Sequence, residues 1–385
     1  MAPDRPLLFV APGHQPQGEP RGVVPDRQRV TVAPAGGGEL PPEVHLPEPV
    51  GGVVLEPDGR RVGGGPRRVE PAGAAADGGD GPSGRSGDAR PASTQRRLER
   101  TLNNPGLDPD SVWPQLARDL SAGRGGGPIV LILDETPNRN DLRCLKLTVA
   151  RRKRALPLLG ACYALGGPPE PMPGLIRRLF HRAADCLPDA SEVTLLADRG
   201  LAWPRVVDAC RTLGWHFVVR LQGQTRVRTA DGRECAAAEL ALRPGQRWWG
   251  AAEVFKKSGW RAAQVAACWE PGRDGPWPLV SDRPDGPRLF RRYARRVWTE
   301  ELFRDEKSHG FRWGESQVTD PAHAARLVLL TALATILALG LGSRVLKAGL
   351  RRYLESARRR SLSLFQIGLR WLRFAFIRSR DLVSG

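Results

Sequence analysis

Apolar runs of strand length alternate with longer segments between residues 127 and 221, and their order predicts a mixed α/β unit. The runs favour strands because they are short, apolar and bounded by turn residues. The two longer segments that separate the last three strands are predicted to be helices. The predicted order is three strands, a helix, a strand, a helix and a strand, at residues 128–133, 142–150, 156–163, 173–186, 192–197, 203–213 and 216–221.

The segments on either side of this unit follow other patterns. Two short helices are predicted before it, over residues 95–103 and 110–122, and the second would be capped by Asp110 or Ser111. After it, residues 222–288 show the alternation of short strands and turns, with strands predicted at 225–229, 251–256, 265–269 and 277–280.

One long apolar run covers residues 327–341. It is fifteen residues long, shorter than the roughly 18 to 20 residues that a helix needs to span a bilayer. We therefore predict a buried core helix here. The first ten residues are too briefly apolar for a secretory signal.

The first 93 residues differ in composition from the rest of the chain. Pro, Gly, Ala, Arg and Asp dominate, Phe9 is the one aromatic residue, and Lys, Ile, Cys and Trp do not occur. Such a segment cannot bury enough apolar surface to offset the entropy lost on ordering. We therefore predict that residues 1–93 are disordered.

Two of the predicted strands lead directly to an acidic residue. Residues 128–133 are followed by Asp134, and residues 192–197 by Asp198. An acid at a strand end is most often a turn former or a helix N-cap. Adjacent strands would, however, bring these two carboxylates together at one edge of the sheet.

A third acid lies in a segment with helical spacing. At about 100° per residue, Tyr293, Arg296 and Lys307 lie within roughly 40° of Glu300 around the axis. A carboxylate beside two cations and a phenol suits an acid that holds a metal ion next to a phosphodiester. The alternative is a surface helix stabilised by salt bridges. The neighbouring acids, Glu301 and Glu306, lie about 100° or more around the helix from Glu300.

These motifs resemble the DDE transposases of bacterial insertion sequences, in particular the branch with the signature Y-x2-R-x3-E-x6-K. Tyr293, Arg296, Glu300 and Lys307 meet that spacing without a gap. The segments L-I-L-D-E-T at residues 131–136 and L-A-D-R-G at 196–200 match the first and second acid motifs in order. The resemblance covers roughly residues 94–372, including the tail R-S-L-S-L-F-Q-I-G-L-R-W-L at 360–372.

The resemblance implies a ribonuclease H-like mixed sheet flanked by helices, with a β-rich insertion before the third-acid helix. It implies that Asp134, Asp198 and Glu300 are the catalytic and metal-binding acids. Tyr293, Arg296, Lys307 and Arg199 would bind DNA. Three carboxylates packed together repel one another, which favours two divalent cations, and oxygen ligands suit Mg²⁺ or Mn²⁺.

The charge agrees with a nucleic-acid partner. The formal net charge is +18 and the sequence pI is about 10.8, and a cationic field of this size attracts polyanions. A basic soluble protein or a ribosome-associated protein is the alternative. Six cysteines without a C-x-x-C spacing support neither a zinc site nor a disulfide framework and indicate a reducing compartment.

The predicted organisation has six parts. The parts are a disordered segment, a helical lead-in, the first part of the catalytic core, the β-rich insertion, the second part of the core with the third-acid helix, and a basic helical tail. Their predicted bounds are 1–93, 94–126, 127–221, 222–288, 289–345 and 346–385.

The predicted activity is cleavage at transposon ends and joining of the freed 3′-hydroxyls to target DNA. The partners would be double-stranded DNA and a second copy of the chain when DNA is bound, in the bacterial cytoplasm at the nucleoid and without a membrane. Relatives usually have a helical end-binding domain where residues 1–93 stand. An inactive DNA-binding derivative, or a nuclease of the same fold without strand transfer, therefore stays open as an alternative.

Overall fold

The computed structural model of the protein describes residues 91–122, 127–138, 141–188, 192–356 and 360–378. The predicted disorder of residues 1–93 falls, for residues 1–90, outside the described residues. Helix α1 begins at Pro91, so the boundary predicted at residue 94 lies three residues inside a helix.

The described strands form one mixed sheet in the order β3-β2-β1-β4-β5-β10-β9-β8-β6-β7. The pairs β1–β4 and β4–β5 are parallel, and the other pairs are antiparallel. The strands are β1 (Ile129–Pro137), β2 (Leu142–Arg151), β3 (Arg154–Ala164), β4 (Val193–Ala197), β5 (His216–Arg220), β6 (Arg226–Thr229), β7 (Glu234–Ala236), β8 (Arg247–Val254), β9 (Arg261–Cys268) and β10 (Trp277–Ser281).

Helices cover both faces of this sheet. They are α1 (Pro91–Leu102), α2 (Pro109–Ala122), α3 (Met172–Ala184), α4 (Pro204–Thr212), α5 (Arg288–Tyr293), α6 (Val297–Arg304), α7 (Pro321–Lys347) and α8 (Leu364–Ile377). Side chains alternate between the faces along each strand. Leu131 and Leu133 pack into a core with α3, α4 and α7, whereas Ile132 packs into a second core with α5 and α6.

Most predicted elements are confirmed, with three differences. Strand β1 does not end at Asp134 but continues to Pro137, because its last residues pair with β2. Helix α2 begins at Pro109, and Asp108 rather than Asp110 or Ser111 accepts the capping bond, from the Asp110 amide at 3.0 Å. Strand β7 was not predicted, and β6 to β10 extend the core sheet beyond β5.

The apolar run at residues 327–341 lies in a helix almost twice as long as the run, α7, with 27 residues. By length and composition this helix could cross a membrane, so the argument from a short run was wrong. The prediction of a core helix agrees with its packing, because 56% of its most apolar window is buried inside the protein, where it contacts α8 and β3.

Helices α7 and α8 approach so closely that their contact requires glycine. A Cβ at Gly368 would overlap the Ala338 carbonyl, and a Cβ at Gly342 would overlap the Leu364 carbonyl. Helix α8 starts with a capping box, in which Ser363 and Gln366 each bond the other's backbone amide. The S-L-F-Q of the tail motif therefore sets where this helix begins.

We predict that Gly368→Ala lowers the free energy of unfolding by about 1–3 kcal/mol, the usual cost of overpacking. Gly340→Ala is the matched control, because it lies in α7 with open space around it. There the added methyl group should leave stability unchanged or raise it by roughly 0.5–1 kcal/mol. Urea unfolding of both variants measures this, and equal effects would contradict the close contact.

Candidate active site

The two aspartates lie side by side on neighbouring parallel strands. The register pairs Leu133 of β1 with Ala197 of β4. Asp134 and Asp198 are the residues that follow these two, so they lie side by side. Asp134 stays within β1 and is buried, whereas Asp198 follows β4 directly and is partly exposed. The carboxylates therefore meet at one point of the sheet, as expected, although Asp134 is not at a strand end.

Glu300 is linked to the two aspartates through Arg296. Arg296 Nη2 lies 3.0 Å from Asp134 Oδ2 and 3.4 Å from Asp198 Oδ2, and Arg296 Nη1 donates to Glu300 Oε1. The side chain of Arg296 is only 16% exposed, and that of Glu300 is 50% exposed. One guanidinium thus bridges all three acids, which a solvated surface helix would not do.

Tyr293 closes the site on the side of β4 and β5. Its hydroxyl donates to Asp198 Oδ1 at 3.1 Å. Its ring meets Trp277 of β10 edge to face, with centroids 5.9 Å apart. The phenol is buried beneath these contacts, and it holds the second acid in place.

The third-acid segment is helical but not uniform. Between α5 and α6 lies a 3₁₀ turn at Ala294–Arg296, and after α6 a π-helical turn covers Asp305–His309. The ideal spacing predicted for one regular helix is therefore only approximate. Lys307, in the π turn, donates from Nζ to Thr136 Oγ1 at 2.6 Å and to the Pro137 carbonyl, at the end of β1.

Arg199 lies in the short 3₁₀ turn after Asp198 and is exposed. Its carbonyl accepts a bond from Gln222 Nε2 at 3.4 Å. Arg199 therefore follows Asp198 directly and has its side chain at the surface.

The two neighbouring acids on the helix have other partners. Glu301 pairs with Arg154 of β3 at 3.0 Å near the surface. Glu306 is fully buried and pairs with Lys146 of β2. Lys146 was not singled out from the sequence, although an isolated lysine inside the apolar strand L-K-L-T-V-A is a usable signal. That Lys146 lies opposite Asp134 can be seen only from the pairing of β1 with β2.

Burial and charge shift the pKa of the site groups. Burial, helped by the Asp198 charge and opposed by Arg296, raises the pKa of Asp134 to about 6. Burial and the Asp198 charge raise the pKa of the Tyr293 phenol. Burial disfavours the charge on Arg296, but Asp134 and Asp198 outweigh it and raise its pKa. Burial lowers the pKa of Lys307.

The three acids carry oxygen donors of the kind that suits a divalent ion. Within the described part of the chain, no group of three or more His, Cys, Asp or Glu side chains is arranged to hold a metal. Three carboxylates nevertheless converge on one cation, and their oxygens are ligands that Mg²⁺ and Mn²⁺ prefer. The chemistry of the residues fits such ions, with Arg296 supplying the compensating charge in this structure.

Comparison with known proteins points to one family. Residues 170–337 match the family model described as the transposase DDE domain, a segment that contains Asp198 and Glu300 but begins after Asp134. The match supports a DDE transposase. No curated protein matches the sequence.

Among solved structures, the C-terminal lobe of a budding yeast Argonaute is similar, with 12% identity and a TM-score of 0.21. The alignment covers 54% of this chain and 47% of that one. The chain therefore spans about half the length of that structure.

We predict a pH-dependent effect of Asp134→Asn on stability. The folded pKa of about 6 lies above the ordinary value of 3.8, so the native state binds more protons than the unfolded state between these values. The stability that Asp134 contributes is present below about pH 4 and is lost as the pH rises through 6.

From pH 4 to pH 7 the free energy of unfolding of Asp134→Asn should therefore rise relative to the parent by up to about 3 kcal/mol, at about 1.4 kcal/mol per pKa unit. Urea unfolding of both proteins across this range measures the difference. A difference that stays constant with pH would contradict the raised pKa.

Proposed function

We propose that the protein is a DDE transposase that cleaves DNA at transposon ends and joins the freed 3′-hydroxyls to target DNA. The convergence of Asp134, Asp198 and Glu300 on the Arg296 guanidinium carries this proposal. The match to a transposase DDE domain supports the general class. The insertion-sequence branch with the Y-x2-R-x3-E-x6-K signature is part of the proposal.

The strand order supports a ribonuclease H-like core. Three antiparallel strands, β3-β2-β1, continue into the parallel strands β4 and β5. This agrees with the order of elements predicted from the sequence, and Asp134, the first acid of this proposal, lies on β1, the middle strand of the five. Glu300, the third acid of this proposal, follows later in the chain on α6. This helix packs on the sheet face that carries Ile132.

Each site residue has a distinct task in this proposal. Asp134, Asp198 and Glu300 would hold two divalent cations, Mg²⁺ or Mn²⁺. When bound, these ions supply Lewis-acid activation of the attacking hydroxyl and neutralise charge on the leaving oxygen. Tyr293 orients Asp198 through its hydroxyl and helps to seat the strand end.

The cations of the helix bind the DNA backbone. Arg296 would bind phosphate oxygens, since a guanidinium fits a phosphate as well as a carboxylate with two parallel bonds. Lys307, whose side chain reaches the end of β1, and Arg199, in the turn after Asp198, would contact flanking phosphates. The net charge of +18 favours this association with duplex DNA.

The proposal extends to partners and location. Two copies of the chain would assemble on paired transposon ends, and the site of action would be the bacterial nucleoid in the cytoplasm.

The decisive experiment first searches the DNA on either side of the gene for inverted repeats, and then uses the repeats found there as transposon ends. Purified protein is incubated with duplexes carrying these ends, a supercoiled target plasmid and Mg²⁺ or Mn²⁺. Cleavage at the ends followed by insertion into the plasmid is expected. Cleavage without insertion would favour the nuclease, and binding without cleavage the inactive derivative.

We predict that Asp134→Asn, Asp198→Asn and Glu300→Gln each reduce cleavage at least about 100-fold while the protein remains folded. Each change removes the charge of a proposed metal ligand at nearly constant volume. Replacing even a residue that only hydrogen-bonds a metal ligand typically lowers metal affinity or activity about 10–100-fold. Glu301→Gln is the matched control on the same helix, since it pairs with Arg154 near the surface. Equal cleavage by Glu300→Gln and the parent would show that the third acid is another residue.

DNA binding gives a separate prediction for the cations. Arg296→Ala and Lys307→Ala should each reduce the slope of log affinity against log salt by about one, because the slope changes by roughly 0.9 per phosphate contact. Arg296→Lys keeps the charge but loses the two-pronged geometry, so its binding should also weaken. Filter binding across salt concentrations measures the affinities and their slopes. Slopes equal to that of the parent would mean that Arg296 and Lys307 do not contact DNA.

A further inference from the structure

A second ion pair lies directly across the strands from the first acid. Lys146 is the register partner of Asp134 in the β1–β2 pair, and its ammonium donates to Glu306. Both side chains are fully buried. Taking two charges out of water is costly, and an apolar pair of similar volume is often at least as stable. Stability alone therefore does not account for this pair.

Glu306 continues the inner face of the third-acid helix. Thr299, Leu302, Phe303 and Glu306 are buried at intervals of three and four residues, the stripe by which a helix packs on a core. Thr299 Oγ1 lies 3.2 Å from Thr148 Oγ1, two residues along β2 from Lys146. The Glu306 contact thus docks one further turn of the helix on the same strand.

That further turn is π-helical. A π turn contains more residues per turn than an α-helix, so it rotates the side chains that follow away from α-helical spacing. Glu306 and Lys307 both lie in this turn, over Asp305–His309. With Glu306 held inward by Lys146, the adjacent Lys307 reaches Thr136 Oγ1 at the end of β1.

One indole ring connects the two lysines. The Nζ atoms of Lys146 and Lys307 lie 5.9 Å and 5.3 Å from the centroid of the Trp313 ring. Two ammonium groups beside one ring repel each other unless one is compensated. Glu306 compensates Lys146, which leaves the charge of Lys307 directed at the strand end.

We propose that the Lys146–Glu306 pair is a positioning device: it anchors the π turn on β2 and so fixes the Lys307 ammonium where it meets a phosphate of bound DNA. The phosphate contact rests on the proposed function, whereas the placement of Lys307 does not. Lys146 and Glu306 themselves do not touch DNA.

The placement is tested without DNA by limited acetylation with acetic anhydride and mass spectrometry. The variant Lys146→Met/Glu306→Gln removes both charges at nearly constant volume, and Glu301→Gln is the matched control. The acetylation rate of Lys307, relative to the exposed Lys257, should rise at least about threefold in the first variant and stay unchanged in the control. A folded double variant with a parent-like rate overturns the proposal. If that variant does not fold, Glu306→Asp, which keeps the charge but shortens the side chain, is held to the same outcomes.

The phosphate contact is tested by a double-mutant cycle on the salt dependence of DNA binding. Replacing the pair should reduce the log–log slope by about one, as Lys307→Ala does, and should cause no further reduction in the Lys307→Ala background. Additive losses would mean that the pair does not act through Lys307. If acetylation changes but no protein form binds DNA, the positioning holds and the proposed function fails.

Discussion

The compensation of three carboxylates by the Arg296 guanidinium is the constraint on which the candidate active-site face depends. Asp134, Asp198 and Glu300 come from three separate elements, and like charges at such distances repel strongly where water is partly excluded. A single planar cation with several donors can satisfy all three at once. The parallel register of β1 and β4 brings the first two acids together, and the helix brings the third acid with the cation.

The helical segment that carries Arg296 and Glu300 lies between this arrangement and the buried pair of Lys146 on β2 with Glu306. It tightens to a 3₁₀ turn at Ala294–Arg296 and widens to a π turn at Asp305–His309. Between these turns, α6 has regular geometry and packs Thr299 and Leu302 against the sheet. Charged contacts at both ends of α6 therefore accompany the departures from α-helical geometry.

Local patterns predicted much of this fold, because strand-length apolar runs and their bounding turns are local properties. The position of Asp198 directly after a strand was predicted correctly for that reason. The position of Asp134 was not, since β1 is extended by pairing with β2, which no local pattern contains. The same limit applies to Lys146 and Glu306, which are distant in sequence. From the sequence, Glu306 was only a neighbour of Glu300 on another side of the helix, and its buried partner lies 160 residues away.

The continuity of the sheet beyond β5 has a consequence for how this fold can be shortened. Strand β10 pairs with β5 through Val218 to Arg220, so the strands that follow the core also cover its edge. Without them, β5 would present a row of unpaired amides and carbonyls to other chains, the arrangement that leads to edge-to-edge aggregation. Trp277, on the same strand β10, also supports the ring of Tyr293. The segment between Asp198 and Glu300 is therefore a structural part of the sheet, and a version without it would expose the edge of β5 and lose the ring that supports Tyr293.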